Sequence, residues 1–191
     1  MLLWVRFGLL LTFISYFCHN RDFIYEPRGF SNVWEMNQTI VERYNRIVEP
    51  EDDVYVLGDL MLNDDMEGLR LIKQLKGYLH IVRGNHDTER RLELYQSCWN
   101  VDEIVDATYL NYSGYHFYLS HFPTLTSNFD NDKPLKQRTI NLCGHTHTDD
   151  MFLDWDRYKA PIVHCEVDVS AGYPWRLETI IDKMEMKRAE G

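Results

Sequence analysis

Val82-Arg83-Gly84-Asn85-His86-Asp87 is the stretch whose reading decides the fold. An apolar run over 78–82 ends abruptly in a glycine followed by residues that bind metal or move protons, as a strand does when it hands its chemistry to a loop. The same grammar recurs three times. Val54-Tyr55-Val56-Leu57 runs into Gly58-Asp59, Phe117-Tyr118-Leu119-Ser120 into His121, and Ile140-Asn141-Leu142-Cys143 into Gly144-His145-Thr146-His147. Strands lying side by side in one sheet bring such C-terminal ends together, so the spacing predicts one site fed by four strands.

The 191 residues suffice for one domain with a sizeable core, and 45% hydrophobic content argues against disorder. The net charge of -10 disfavours general nucleic-acid binding. A small phosphate-bearing substrate stays compatible, because bound metal ions reverse the local field. Cys18, Cys98, Cys143 and Cys165 are scattered without a CxxC pair, which fits a reducing compartment and gives no zinc-finger spacing. Residues 1–17 are strongly apolar around 9–17. They read as a buried first strand, or alternatively as a membrane anchor, though the run is shorter than the roughly 20 residues of a comfortable span. A cytoplasmic protein without a stable membrane anchor is expected.

Periodicity predicts a helix over 31–48, capped by Ser31 or Asn32 with Glu35 near the capping-box position. Further helices are expected over 66–75, 88–95 and 175–184, and strands over 54–57, 78–82, 139–143 and 161–169. Residues 101–120 read as two β-runs joined at Ser113-Gly114. A long loop follows over 122–138, whose Lys133, Lys136 and Arg138 either face a phosphate or are merely solvated. Helix–strand alternation followed by strand-rich sequence points to a layered α/β architecture.

Each candidate alone is ordinary. Gly58-Asp59 can be a turn, His121 a satisfied buried histidine, and His145 and His147 two residues on one side of an extended chain. Together, Asp, Asn and three histidines make a mixed nitrogen and oxygen donor set suited to Mn, Fe, Zn or Ni. Two such ions about 3.5–4 Å apart clamp a phosphoryl group and ionise a water.

In order and spacing, Gly58-Asp59, Gly84-Asn85-His86-Asp87, His121 and Gly144-His145-Thr146-His147 resemble successive motifs of the calcineurin-like metallophosphoesterases. Residues 30–37 resemble a small bacterial single-domain subgroup of that family. The resemblance implies an α/β (α+β) fold, a four-layer α-β-β-α sandwich of two mixed sheets flanked by helices, over 1–191. It implies two divalent metal ions bridged by Asp59, with Asn85, His121 and His145 completing one site and His147 belonging to the other. His86 would then stabilise phosphate charge and protonate the leaving oxygen, oriented by Asp87. The implied activity is hydrolysis of a small phosphate mono- or diester.

The resemblance also fails at one place. The family opens with a strand ending in Asp-x-His, which holds the first metal, and here Ile14 and Tyr16 align with those positions. Isoleucine has no donor atom and a tyrosine phenol is normally protonated. His19 and Asp22 are nearby substitutes. One codon choice for residues 7–15, read two bases later, gives Trp-Val-Thr-Ser-Asp-Phe-His-Phe, so a frameshifted first strand would account for the departure, beside an anchor or a genuinely divergent strand. The expectation is one complete metal site, one incomplete site and impaired turnover; the alternative is a metal-binding pseudoenzyme or interaction protein without turnover.

Overall fold

The computed structural model describes residues 9–12, 16–126, 133–155 and 161–190. Strand β1 (Leu9–Thr12) lies inside a five-stranded sheet, parallel to β2 (Asp53–Val56) and antiparallel to β9 (Trp175–Arg176). Beyond β2 come β3 (Tyr78–Val82) and β4 (Val101–Val105), all parallel. Parallel neighbours need crossovers, and the intervening sequence supplies them as α2 (Val33–Ile47), α3 (Asp65–Ile72) and α4 (Glu89–Gln96), while α1 is the single turn Asp22–Tyr25. Each crossover starts where a short polar side chain satisfies an orphan amide. Asn32 accepts from Glu35 N, Asp64 from Glu67 N and Thr88 from Arg91 N.

The second sheet has the order β5 (Ala107–Tyr112), β6 (Tyr115–Ser120), β7 (Thr139–Cys143), β8 (Ile162–His164). Strands β5 and β6 form a hairpin whose turn puts Ser113 and Gly114 at φ 51° and 82°, the handedness that two-residue hairpin turns require. Strands β6, β7 and β8 are parallel, so both sheets are mixed.

Side-chain alternation divides the interior in two. Val54, Val56, Leu79 and Ile81 pack with Met36, Ile40, Leu69, Ile72 and Tyr95 of the crossover helices. Leu57 and Val82 join Phe117, Leu119, Ile140, Leu142 and Val163 of the second sheet. The C-terminal helix α5 (Leu177–Glu190) adds Leu177, Ile180 and Met184 to that second cluster. Mixed α/β architecture with two sheets flanked by helices is therefore observed.

Several local expectations need correction. Trp175 and Arg176 are strand, not the first turn of a helix, because β1 presents an edge whose backbone groups need partners. The apolar N-terminal stretch takes the strand reading at Leu9–Thr12, paired along both edges. Among the described residues no helix is long and apolar enough to cross a membrane. The run 101–120 contains three strands, since β4 and β5 belong to different sheets. The strand expected over 161–169 stops at His164, where Val169 N donates back to Glu166 O in a turn. All four cysteines are buried, free thiols.

Met36 is fully buried under the first sheet, whereas Met66 is 67% exposed. Met36→Ala is expected to destabilise the fold by about 2–5 kcal/mol. Met66→Ala should stay within about 0.5 kcal/mol. Urea midpoints at unchanged slope check both.

Candidate metal centre

The loops after β2 and β3 touch through glycine. Gly58 has φ +94°, and a Cβ there would lie 2.6 Å from His121 Nδ1 and 2.7 Å from Gly84 Cα. A Cβ on Gly84 would fall 2.2 Å from Asp59 Oδ1. No side chain fits at either position, so Asp59 reaches the centre only because both are glycine. Asp59 itself is fully buried, at φ 50°. The four strand ends do converge, but from two sheets: β2 and β3 belong to one, β6 and β7 to the other.

Asp59, His121 and His145 each present a donor atom within 4.8 Å of the others. The focus is His121 Nε2, with Asn85 Oδ1 at 2.8 Å, His145 Nδ1 at 3.2 Å and Asp59 Oδ2 at 3.3 Å. The other ring nitrogen, Nδ1, lies 2.8 Å from Leu57 O. Donation to that carbonyl fixes the ring and turns Nε2 toward the cluster, the usual outer-shell support of a ligating histidine. Burial opposes the charge on His121, yet hydrogen bonding and the Asp59 carboxylate hold its pKa above the ordinary value. Burial likewise works to raise the Asp59 carboxyl, and the bond and charge of His121 together with bonds from the His86 amide and the Tyr16 hydroxyl outweigh it, leaving the group more acidic than usual. Burial and then the neighbouring His121 depress His145. The mixed nitrogen and oxygen donor set fits a divalent ion.

The other side of Asp59 is built differently. Tyr16 N and Phe17 N donate to Asp59 O and Leu60 O, extending the N-terminal chain alongside the loop. This puts the Tyr16 hydroxyl 3.0 Å from Asp59 Oδ2 and stacks its ring on His147 at 4.4 Å. Burial and then Asp59 push the phenol far above its normal pKa, so it stays a donor. Ile14 lies outside the described residues. His147 also meets Arg28 Nη2 at 3.4 Å, and Arg28 is held bidentately by Asp168 at 2.7 and 2.8 Å. Of the two nearby substitutes, His19 has its ring 6.3 Å from that of His147 and a buried Nδ1 without a hydrogen-bond partner. Asp22 is exposed and accepts from Phe23 N.

Strand alternation does not govern the two histidines. His145 and His147 have φ of 78° and 52°, so they leave the extended conformation and turn to different partners. Thr146 between them is anchored to Glu166, donating through N at 3.1 Å and Oγ1 at 2.6 Å. Buried His164 sits between Glu166 at 3.2 Å and Asp154 at 2.9 Å. Burial opposes its charge, but Glu166 and then Asp154 raise its pKa. Glu166, His164 and Asp154 were not among the sequence candidates. The one available signal was three ionisable residues in otherwise apolar surroundings.

Asp87 ties the loops together. Its Oδ2 accepts from both Asp59 N and Gly84 N at 2.8 Å, and its Oδ1 accepts from Tyr95 Oη at 2.7 Å. Through these three bonds Asp87 organises the loops that carry Asp59 and Gly84. His86 is exposed; its N donates to Asp59 Oδ1 at 2.7 Å, and its ring lies 6.4 Å from that of Tyr16. Lys136 and Arg138 do not face the centre. They stand at the start of β7, with Lys136 Nζ over the Tyr115 ring, whereas His121 and His145 follow the opposite strand ends.

The two-sheet α/β fold brings a carboxylate and two imidazoles together at its strand ends, a cluster that could hold a metal ion. The profile of the calcineurin-like phosphoesterase superfamily domain matches residues 35–168, and the chain belongs to that superfamily. The uncharacterized protein MJ1445 of Methanocaldococcus jannaschii is 37% identical over 120 residues, which make up 61% of this chain and 60% of that protein's length. A protein of unknown function from Aquifex aeolicus, AQ665, shares the fold with a TM-score of 0.69 at 24% identity, over 93% of this chain and 98% of its own. Yfce, a phosphoesterase from E. coli, aligns more remotely, with a TM-score of 0.46 at 15% identity over 82% of this chain and 76% of its own.

A metal ion held at this cluster would compete with a proton for His121 Nε2. Because the His121 pKa lies above 6.5, metal affinity is expected to weaken as pH falls, with the loss already under way above that value. Calorimetric titrations with Mn²⁺ between about pH 6 and about pH 8 should show proton release on binding, diminishing toward higher pH. Glu166→Ala removes the anchor of Thr146 and should lower metal affinity roughly 10–100-fold, as loss of a supporting partner does. Glu166→Gln should lose less in the same titration.

Proposed function

We propose that the chain is a metal-dependent phosphoesterase with one well-formed ion position and one depleted position. The observation that supports this most is the convergence of Asp59, Asn85 and His145 on His121 Nε2. These four residues hold the first ion, and His147 with Asp59 serves the second, with His19 beside it. Mn, Fe, Zn or Ni fits the donor set. A bound ion supplies Lewis acidity and an ionised water. Small phosphate mono- or diesters are the substrates, and His86, exposed at the mouth, gives a proton to the leaving oxygen. The acidic chain does not bind nucleic acid generally, and it works in the cytoplasm.

Tyr16 favours a second reading, a metal-binding protein without turnover. Its hydroxyl holds the Asp59 oxygen that a bridging carboxylate needs, and its ring covers His147. Two protein ligands rarely hold a divalent ion, since catalytic zinc sites commonly use three. The chain should therefore bind one ion firmly and hydrolyse bis-p-nitrophenyl phosphate weakly. Metal content and turnover of the wild type and an Ile14→Asp/Tyr16→His double variant test this. Gain of a second ion together with turnover supports the phosphoesterase reading. Two tight ions and full activity in the unaltered chain defeat the depleted-site reading. His86→Ala in the active form should lower turnover about 10²–10⁴-fold with metal content unchanged; loss of metal instead would make His86 a ligand.

A further inference from the structure

A cavity of about 600 Å³ opens beside His147, lined among others by Arg28, Phe30, Arg43, Asp168 and Gly172. Its size is that of a small-molecule pocket. Its charges are unequal in availability. Arg28 is neutralised by the bidentate Asp168, and Asp149 at the wall is exposed. Arg43, by contrast, forms no ion pair among the described residues; its Nη1 donates to Ala171 O. Its guanidinium lies over the Phe30 and Tyr173 rings, at 5.8 and 5.4 Å from their centroids. Gly172, at φ +86°, makes the room: a Cβ there would come within 3.2 Å of Arg43 Nη1 and 3.3 Å of its Cδ. A carbonyl, two aromatic faces and a glycine thus seat one uncompensated guanidinium in a cavity whose wall includes His147.

A seated guanidinium presents a planar fork of N–H donors with no acceptor, which matches phosphate and carboxylate. We propose that this cavity takes the leaving-group side of the substrate and that Arg43 reads a second anionic group on it. The substrate class is then an organic phosphate carrying a second phosphate or carboxylate. This rests on the reading of Asp59, His121 and His145 as the centre where the first phosphate is held. The acidic chain makes the contact selective: with a net charge of -10, a second negative group binds only where a local cation outweighs the general repulsion.

Fructose 1,6-bisphosphate and fructose 6-phosphate differ only in the second phosphate, so their binding to the full chain isolates this contact without requiring turnover. Calorimetry on the metal-free chain and on the Mn²⁺-loaded chain should show the bisphosphate binding about 10–100-fold tighter, the worth of a hydrogen bond to a charged group. Arg43→Gln should remove that preference while leaving fructose 6-phosphate affinity and metal content unchanged. Equal affinity of the wild type for the two sugars, no binding of either, or a preference that survives Arg43→Gln overturns the proposal. Metal content, measured in parallel, reports separately on the centre. A chain that holds no metal but keeps an Arg43-dependent preference refutes the phosphoesterase reading and leaves the anion site standing.

Discussion

The Asp87 carboxylate ties the first sheet's two functional loops together. One oxygen accepts from the backbone of both Asp59 and Gly84, and the other accepts from Tyr95 on the following helix. The loops after β2 and β3 can approach so closely only because Gly58 and Gly84 carry no Cβ. A buried carboxylate must have such partners to be tolerated. Burial outweighs them enough to make Asp87 harder to ionise than usual. The clamp therefore converts a desolvated charge into loop geometry, and Asp59 is where that geometry leads.

Asp59 stands between two unlike halves. On one side His121, fixed through Leu57 O, gathers Asn85 and His145 into a donor set. On the other, Tyr16 donates to the same carboxylate and stacks on His147. A phenol that cannot readily ionise supplies a proton where a ligand would supply a lone pair, so the two halves differ in sign of interaction as well as in residue type. The second sheet reinforces the His121 half. Glu166 holds Thr146, and the buried His164–Asp154 pair holds Glu166, which sets the direction of both flanking histidines.

The elements that could be read from the sequence were those with strong local signals. The cap at Asn32 and apolar periodicity marked the crossover helices to within a few residues, whereas the caps at Asp64 and Thr88 emerged only in the structure. Apolar runs ending in Gly-Asp, Gly-Asn-His-Asp and Gly-His-Thr-His marked the strands that carry the centre. Trp175 and Arg176 were misread because their strand state comes from the distant edge of β1, not from their neighbours in sequence. The side on which Lys136 and Arg138 fall was equally invisible, since it depends on which end of β7 faces the centre.

By itself, the sequence determined the candidate donors, because chemistry resides in residue types: Asp59, Asn85, His121, His145 and His147 were singled out by residue type and position after apolar runs. It also determined that the N-terminal strand brings no Asp-x-His to them. Only the tertiary structure decided how those donors divide. Left-handed backbone at His145 and His147 sends them to different partners, the convergence draws on two sheets instead of one, and Asp87 binds the backbone amides of two loops. Each of these outcomes depends on satisfying buried polar groups contributed by segments far apart in the chain, a requirement that arises only once burial removes water.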